Sequence, residues 1–317
     1  MPKQVDEPDY HSENHTAAQT CGWTENALKG DGKCYKKVFY GIESHRCVQM
    51  TPVVKCNERC VFCWRDHQGH AYELGDVEWD DPDAVAEASV ELQRTLLSGF
   101  GGNEEVPRER FEASREPRHV AISLDGEPTL YPYLPELIEA FHDRGMTTFL
   151  VSNGTNPDVL AECEPTQLYV SVDAADRATF DRVVRPVEDD AWEKLVETMD
   201  VLHGKDSRTV IRTTCMDGWN MDHPAAYAGM IRRADPDFVE LKAYMHVGHS
   251  QSRLDRGVMP DHERVREFAT DLLEHLPEHD TVKEVPRSRV VLLARDEDTW
   301  VPKLRKDSEF WAGDAHA

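Results

Sequence analysis

Long apolar runs are absent from this sequence. None is long enough to cross a bilayer, and the polar N-terminus has no apolar signal-peptide core. We therefore expect a soluble, cytoplasmic protein. In that reducing compartment the eight cysteines are expected to be ligands and not disulfide partners. The sequence also lacks an internal repeat, which excludes a solenoid.

Basic residues are few relative to acidic ones. Lysine and arginine number 36 against 60 aspartates and glutamates, which gives a formal net charge of -24. An acidic surface opposes binding to a nucleic acid unless basic residues cluster locally. Acidic residues spread along the chain are typical of halophilic proteins, in which high salt screens self-repulsion, and an ordinary acidic cytosolic enzyme is the alternative.

A βα rhythm follows residue 50. Apolar, β-rich runs predict strands at 48–54, 120–124, 147–151, 168–172, 209–213 and 238–243. Helices with acidic or Asp-Pro starts are predicted between them, at 82–98, 134–144, 156–163, 189–203, 222–234 and 260–275. Six βα units predict an α/β fold, a partial (β/α)6 barrel of the TIM-like type.

The remaining segments set the expected domain boundaries. We predict a disordered tail at 1–20, a cysteine-bearing N-terminal extension at 21–50, the barrel at 51–280 and a C-terminal extension at 281–317. Residues 99–118 are predicted to be a long, mobile loop, and residues 290–293 an additional edge strand. The chain is expected to act as a monomer.

Cys56, Cys60 and Cys63 form a CxxxCxxC motif on one short loop. Three thiolates hold three irons of a 4Fe-4S cubane and leave the fourth iron open for another ligand. Phe62 and Trp64 flank the last cysteine and are expected to shield the cluster from water. With this motif the chain resembles the radical S-adenosyl-L-methionine (SAM) enzymes. The resemblance implies that SAM binds the open iron as a co-substrate and is cleaved reductively to a 5′-deoxyadenosyl radical.

The turn that contains Gly126 and Glu127 follows the second predicted strand. It resembles the glycine-rich motif with which radical SAM enzymes hold the methionine ammonium of SAM. Gly126 permits close backbone approach, and Glu127 supplies the acceptor. Asn153 and Ser171, at later strand ends, are candidates for the ribose or the carboxylate of SAM. Ordinary turn and strand-end polar groups are the alternative for these residues.

Cys21, Cys34 and Cys47 precede the first predicted strand at intervals of thirteen residues. Three thiols outside the CxxxCxxC loop predict a second 4Fe-4S cluster, again with one open iron. A structural zinc site is the alternative, with His45 as a fourth ligand. The long gaps between these cysteines leave the choice open.

From about residue 20 onward the chain resembles the archaeal tRNA 4-demethylwyosine synthases. The resemblance lies in Gly22-Trp23, Cys34-Tyr35-Lys36, the run from Ser44 to Pro52, the cysteine motif with Trp64-Arg65, Arg185-Pro186-Val187, and Lys242 to Gly248. It implies an enzyme that condenses two carbons of pyruvate with 1-methylguanosine next to the anticodon of phenylalanine tRNA. The radical would take hydrogen from the N-methyl group, the resulting carbon radical would add to the carbonyl carbon of pyruvate, C1 would be lost and the base would close the ring. An unidentified electron donor is implied as well.

Lys36 matches the lysine proposed in that family to form a Schiff base with pyruvate. A nucleophilic lysine must be neutral, and desolvation favours the neutral form, whereas a nearby anionic cluster favours the ammonium. In the alternative, pyruvate chelates the open iron of the second cluster and Lys36 pairs with its carboxylate. A plain surface lysine is the third possibility.

Two other functions fit parts of the sequence. Another radical SAM activity, such as an RNA methyltransferase or a glycyl-radical activase, is one; methyl transfer would need Cys215 as its cysteine. Cys215 and Cys163 otherwise lie in contexts that predict buried structural thiols. A non-enzymatic, zinc-stabilised RNA-binding protein is the other. The basic residues that could neutralise RNA phosphates are Lys29, Lys33, Lys36, Lys37, Arg108, Arg110, Arg115, Arg118, Arg182, Arg185, Arg253 and Arg256.

Overall fold

The computed structural model of the protein describes residues 10–67 and 77–295. Its strands are β1 (Tyr10–Glu13), β2 (Thr16–Gln19), β3 (Cys47–Thr51), β4 (His119–Ile122), β5 (Thr147–Ser152), β6 (Gln167–Ser171), β7 (Arg208–Cys215), β8 (Phe238–Ala243), β9 (Asp280–Val285) and β10 (Val290–Ala294). Its α-helices are α1 (Gly22–Lys29), α2 (Tyr35–Tyr40), α3 (Pro82–Leu97), α4 (Arg108–Ser114), α5 (Leu134–Asp143), α6 (Pro157–Glu162), α7 (Arg177–Val183), α8 (Ala191–His203), α9 (Pro224–Ala234) and α10 (His262–Leu273).

The strands form one sheet in the order β1-β2-β3-β4-β5-β6-β7-β8-β10-β9. The pairs from β3 to β8 are all parallel and follow chain order. Antiparallel strands extend the sheet at both edges. Six parallel strands joined by helical crossovers confirm the predicted partial (β/α)6 barrel. None of the described helices has both the length and the apolar character that a membrane span requires.

The prediction of a disordered tail at 1–20 is wrong for the described residues 10–20. β1 and β2 form a hairpin that pairs with β3. His15, in the turn, is buried and makes two hydrogen bonds: it donates through Nδ1 to the Pro52 carbonyl at 2.6 Å and accepts through Nε2 from the Asp80 amide at 2.9 Å. Strands of four residues are too short to show a periodic pattern in the sequence. Tertiary contacts such as those of His15 order them instead. Residues 1–9 lie outside the described residues.

Two further predictions need correction. The predicted mobile loop 99–118 contains helix α4, and Val106 packs there with Leu28 and Leu97 in a small apolar cluster. The predicted edge strand at 290–293 is β10, which lies between β8 and β9. The edge strand is therefore β9, which was not predicted because its sequence is mostly polar. The proposed division at 20, 50 and 280 remains a prediction.

The N-terminal extension fills the space that the parallel strands enclose. Strand residues alternate between two faces, and one face, which includes Phe149 and Tyr169, packs against Tyr35, Phe39 and Tyr40 of α2. The opposite face packs in the larger core beneath the outer helices. The space on the inner face is called the lumen below. Because α2 inserts into it, the side chains of α2 become part of the barrel interior.

Candidate active site

The loop that carries the CxxxCxxC motif follows β3 and is held by backbone contacts. The amide of Arg59 donates to the Val184 carbonyl at 3.1 Å, and the amide of Val61 donates to the Val183 carbonyl at 2.9 Å. The segment at the end of α7 therefore pairs with the loop much as an additional strand would. This pairing holds the three cysteines in one fixed loop conformation.

Gly126 lies against the same cysteine loop from the other side. Its φ is +67°, and a Cβ atom there would stand 2.0 Å from the Val53 carbonyl oxygen and 2.7 Å from that of Lys55. The amide of the next residue, Glu127, donates to the Lys55 carbonyl at 2.8 Å. The position requires glycine for two reasons: a left-handed backbone and the close approach of two chains.

We expect Gly126→Ala to lower the free energy of unfolding by about 3 to 5 kcal/mol, because the methyl group overlaps fixed backbone atoms. Gly218→Ala is the matched control. Gly218 has a similar φ of +70°, but a Cβ atom added there would meet nothing within 4 Å, so only the left-handed strain of about 1 to 2 kcal/mol applies. Urea denaturation followed by circular dichroism measures both. Equal losses would show that the close approach does not matter.

The Glu127 carboxylate joins the ends of β4 and β5. Oε1 accepts hydrogen bonds from the Thr129 amide (3.1 Å), the Thr129 hydroxyl (2.7 Å) and the Ser152 hydroxyl (2.8 Å), and Oε2 accepts one from the Asn153 amide (2.8 Å). Burial raises the pKa of Glu127, whereas these hydrogen bonds lower it. The spare acceptor capacity lies on Oε2, so a contact with SAM remains a prediction for that oxygen.

The two other predicted SAM residues differ in their surroundings. Asn153 donates through Nδ2 to Asn57 Oδ1 at 2.8 Å, and its Oδ1 accepts from the amide and hydroxyl of Thr155 at 3.0 and 2.7 Å. Its amide group thus ties β5 to the cysteine loop. Ser171 is half-buried at the end of β6, on the same strand face as Tyr169 in the lumen. Both assignments as SAM ligands remain predictions.

The surroundings of Cys56, Cys60 and Cys63 suit a positively charged metal group. Burial raises the pKa of all three thiols, and neighbouring Glu58 raises those of Cys56 and Cys60 further. Glu58 is itself buried, and its Oε1 has no hydrogen-bond partner within the described residues. A bound metal group would replace the thiol protons, and the positive charge of its core would stabilise the three buried thiolates. The donor set therefore fits the predicted cluster.

Cys21, Cys34 and Cys47 share one neighbourhood. Burial, with Cys21 adding to the effect, raises the pKa of Cys34 to about 11. Burial likewise raises the pKa of Cys47 to about 12, with Cys34 and Cys21 adding to the effect. Cys21 and Cys34 directly precede helices α1 and α2, whose N-termini favour thiolates. Three thiols near two helix N-termini fit a second anionic ligand set.

The zinc alternative for this second set needs His45 as its fourth ligand. Burial lowers the pKa of His45 to about 4, and the charges of Glu43 and three basic residues act on it as well. The zinc site and the second cluster both remain predictions for these cysteines.

The two cysteine sets lie at opposite ends of β3. Cys47 begins this strand, and the CxxxCxxC loop follows its end at Thr51. A five-residue strand spans about 13 Å from first to last Cα. The lumen lies alongside this strand, so a small molecule in the lumen would lie between the two sets.

Lys36 projects into this lumen. Its Nζ lies 4.9 Å from the ring centroid of Tyr169 and 5.1 Å from that of Phe149, and its side chain is buried. Burial lowers the pKa of Lys36, whereas the charges of Cys47 and Glu240 raise it. The predicted nucleophile is therefore an internal residue, which excludes the plain surface lysine.

Sequence reasoning missed two charged residues of the lumen, Arg212 and Glu240, and gave Lys242 no role beyond a polar group at the end of the sixth strand. Arg212 pairs in register with Glu240, and Lys242 follows two positions later on the same face of β8. The Tyr40 hydroxyl donates to Glu240 Oε1 at 2.5 Å. Burial lowers the pKa of Lys242 to about 8. The signal was present in β8, where Glu240 and Lys242 alternate with apolar residues.

Several basic residues considered for RNA binding are used inside the protein. The Arg253 guanidinium donates to the carbonyls of Val61 (3.1 Å), Arg65 (3.3 and 3.2 Å) and Cys63. It therefore fixes the chain after the last cysteine of the motif. Arg110 likewise donates to the Ala27 carbonyl at 3.2 Å.

The remaining cysteines are structural, as predicted. Cys163 and Cys215 are both 0% exposed, and burial raises the pKa of each thiol. A methyl-transferring cysteine must be reachable from the lumen as a thiolate. The methyltransferase alternative therefore lacks its reactive residue.

An open α/β barrel with a CxxxCxxC loop at the carboxyl end of its first parallel strand defines the class of radical SAM enzymes, and residues 50–231 match the radical SAM superfamily. Residues 233–295 match the wyosine base formation family. The chain is 46% identical to the SAM-dependent tRNA 4-demethylwyosine synthase of Pyrococcus abyssi, over 89% of this chain and 84% of that one. It is 41% identical to the Methanocaldococcus jannaschii protein of the same name, over 93% and 96%. The chain belongs to this family of tRNA 4-demethylwyosine synthases.

Solved structures of related proteins have the same fold as this chain. A structure of TYW1 with a lysine-pyruvate adduct bound has a TM-score of 0.84 and 39% identity, covering 94% of this chain and 97% of that one. A crystal structure of archaeal TYW1 has a TM-score of 0.80 and 36% identity, covering 96% and 99%.

Proposed function

We propose that this enzyme forms 4-demethylwyosine in phenylalanine tRNA from pyruvate and 1-methylguanosine next to the anticodon. The observation that carries the proposal is the position of Lys36, buried in the lumen between the two cysteine sets. A three-carbon keto acid on this lysine would lie where a base inserted from the carboxyl ends of the strands can meet it.

The CxxxCxxC thiols would hold a 4Fe-4S cluster, which when bound and reduced supplies the electron that cleaves SAM. The residues of this chain prepare the surroundings. Gly126 brings the turn after β4 against the cysteine loop, and Arg253 fixes the segment beyond Cys63. Together they fix the cysteine loop at the carboxyl end of the barrel, where SAM would bind.

Lys36 would bind pyruvate as a Schiff base, in which the amine nitrogen bonds the keto carbon and the keto oxygen leaves as water. Its amine must lose a proton before it attacks the carbonyl carbon, and burial favours that neutral form. The lysine-pyruvate adduct in a structure of a related TYW1 supports this role over a charge pair with iron-bound pyruvate.

A second 4Fe-4S cluster on Cys21, Cys34 and Cys47 completes the proposal. The mutual influence of these three thiols and the two helix N-termini beside them support it. The cluster would lie next to Lys36, since Cys47 is the strongest charge acting on that amine.

The anticodon loop would dock at the carboxyl ends of the strands. Exposed apolar side chains occur there, namely Val187, Met245 and Val247 at 41%, 44% and 47% exposure. Trp219 lies nearby, with the Arg182 guanidinium 5.5 Å from its ring centroid. Unstacked RNA bases bind such aromatic and guanidinium surfaces, which matters most where high salt weakens phosphate contacts.

The setting of the enzyme follows from its composition. None of the eight cysteines is paired in a disulfide, which supports a reducing, cytoplasmic compartment. A net charge of -24 supports a halophilic origin. We further propose that the protein acts as a monomer with an external electron donor.

An anaerobic assay that omits each component in turn tests the function. The complete mixture holds reductant, SAM, pyruvate and phenylalanine tRNA with 1-methylguanosine. We expect the tRNA to gain the mass of the added ring only in the complete mixture, and deoxyadenosine to appear only with SAM and reductant. Cleavage of SAM without any pyruvate-dependent mass gain on the tRNA would refute the assignment.

A further inference from the structure

The lumen holds a cationic side chain to which the proposed function gives no role. Arg212 lies on β7, with its Cα in register with Ser171 of β6 and Glu240 of β8. Its Nε is buried and, among the described residues, has no hydrogen-bond partner. Glu240 does not satisfy it, because its Oε1 accepts from Tyr40 and its Oε2 is buried with no partner in the same residues.

A buried guanidinium nitrogen without an acceptor is costly, so its retention indicates an anionic ligand. Lys36 and Lys242 lie near Arg212 in the lumen, and the carboxylates near Arg212 are those of Glu240 and Asp173. The carboxylate of a ligand in the lumen would fill the open donor of Arg212.

The spacing of the strand layers fits a short keto acid. The Nζ of Lys36 lies over Tyr169, which is two residues before Ser171 on the same face of β6. Two residues along a strand rise by about 7 Å. A Schiff base on Nζ that extends through the keto carbon to a hydrogen-bonded carboxylate reaches about 6 Å. The Cα of Arg212, in register with Ser171, therefore lies one strand layer beyond Tyr169, a spacing close to the length of this molecule.

We propose that Arg212 binds the carboxylate of pyruvate while Lys36 bonds its keto carbon, an inference that rests on the proposed function and deepens it. A guanidinium binds a carboxylate through two parallel hydrogen bonds. This contact selects α-keto acids over neutral carbonyl compounds. It also aligns the C1–C2 bond of pyruvate with the strand direction, from the layer of Tyr169 to the layer of Ser171 and Arg212.

The test compares pyruvate with pyruvamide, its neutral analogue. Anaerobic, iron-loaded enzyme is treated with both compounds and cyanoborohydride, and the two trapped adducts are measured in one sample by high-resolution mass spectrometry of the proteolytic peptide that contains Lys36. In the wild type we expect pyruvate to be trapped preferentially. Arg212→Met is expected to reduce that preference, and to raise the pyruvate KM, by about 30- to 100-fold. Arg212→Lys, which keeps the charge but loses the fork, should recover part of both.

Arg208→Met is the matched control, since Arg208 lies on the same strand and face but over Phe238, 5.0 Å from its ring centroid. It should leave the preference within about twofold of wild type. Because both adducts come from one sample, a partly unfolded variant still reports the ratio. An unchanged ratio in Arg212→Met would overturn the inference. The omission assay on the wild-type enzyme tests the proposed function separately. Product formation on the tRNA can be absent even if the trapping ratio changes in Arg212→Met, and it can be present even if that ratio stays the same.

Discussion

Lys36→Arg is expected to abolish pyruvate-dependent product on the tRNA, with a loss of about 1000-fold or more, because an arginine cannot form the Schiff base. Arginine keeps the positive charge and most of the volume in the lumen. SAM cleavage to deoxyadenosine should persist, since the CxxxCxxC loop follows the far end of β3 from Cys47. Borohydride trapping with pyruvate, read by intact mass, should show no adduct on the variant.

Lys37→Arg is the control for this prediction. Lys37 is the next residue of α2 but is only half-buried, and its replacement should leave trapping unchanged. Lys242→Arg separates the two lumen lysines, because burial lowers the pKa of both. If trapping persists in Lys36→Arg but disappears in Lys242→Arg, the nucleophile is Lys242 of β8 and not Lys36.

Replacing one cysteine set at a time should divide the iron content. Each triple alanine variant is expected to bind roughly four irons instead of roughly eight. The variant of Cys56, Cys60 and Cys63 should lose SAM cleavage entirely. The variant of Cys21, Cys34 and Cys47 should still cleave SAM but form no tRNA product. Iron analysis and deoxyadenosine release after anaerobic reconstitution measure these outcomes.

Cys163→Ala is the control for nonspecific iron uptake. This thiol is fully buried and distant in sequence from both sets, so its loss should leave the iron content at the wild-type value. If the variant of Cys21, Cys34 and Cys47 also keeps that value, there is no second cluster. Zinc in place of iron at those residues would instead favour a structural site.

The central fold was predictable because its signals are local. Buried parallel strands appear as short apolar runs, and amphipathic helices such as α5 and α10 repeat their apolar residues along one face. The same rules missed α1, α2, α4 and α7. These helices are short and sit in polar sequence, and they are stabilised by contacts with distant elements. β1, β2 and β9 escaped for the same reason.

The site residues also fall into two groups, those recognisable from the local sequence and those recognisable only from contacts between distant elements. Cys56, Cys60 and Cys63 are recognisable from spacing alone, because one short loop must supply all three ligands. Glu127 and Asn153 were found by position at strand ends, but their hydrogen bonds to the cysteine loop and to Ser152 became visible only in three dimensions. For Arg110 and Arg253 the sequence was misleading. Their charge suggested contacts with RNA phosphates, but in the structure both side chains donate hydrogen bonds to backbone carbonyls of the protein.

The amino-acid sequence by itself determined the class of the protein and its barrel, because a CxxxCxxC loop and a βα rhythm are features of neighbouring residues. Only the tertiary structure decided what fills the barrel. Lys36 lies on a short N-terminal helix, whereas Arg212 and Glu240 lie on strands more than a hundred residues away. Strand register and the insertion of α2 bring them together, and both depend on packing between elements that no local pattern encodes.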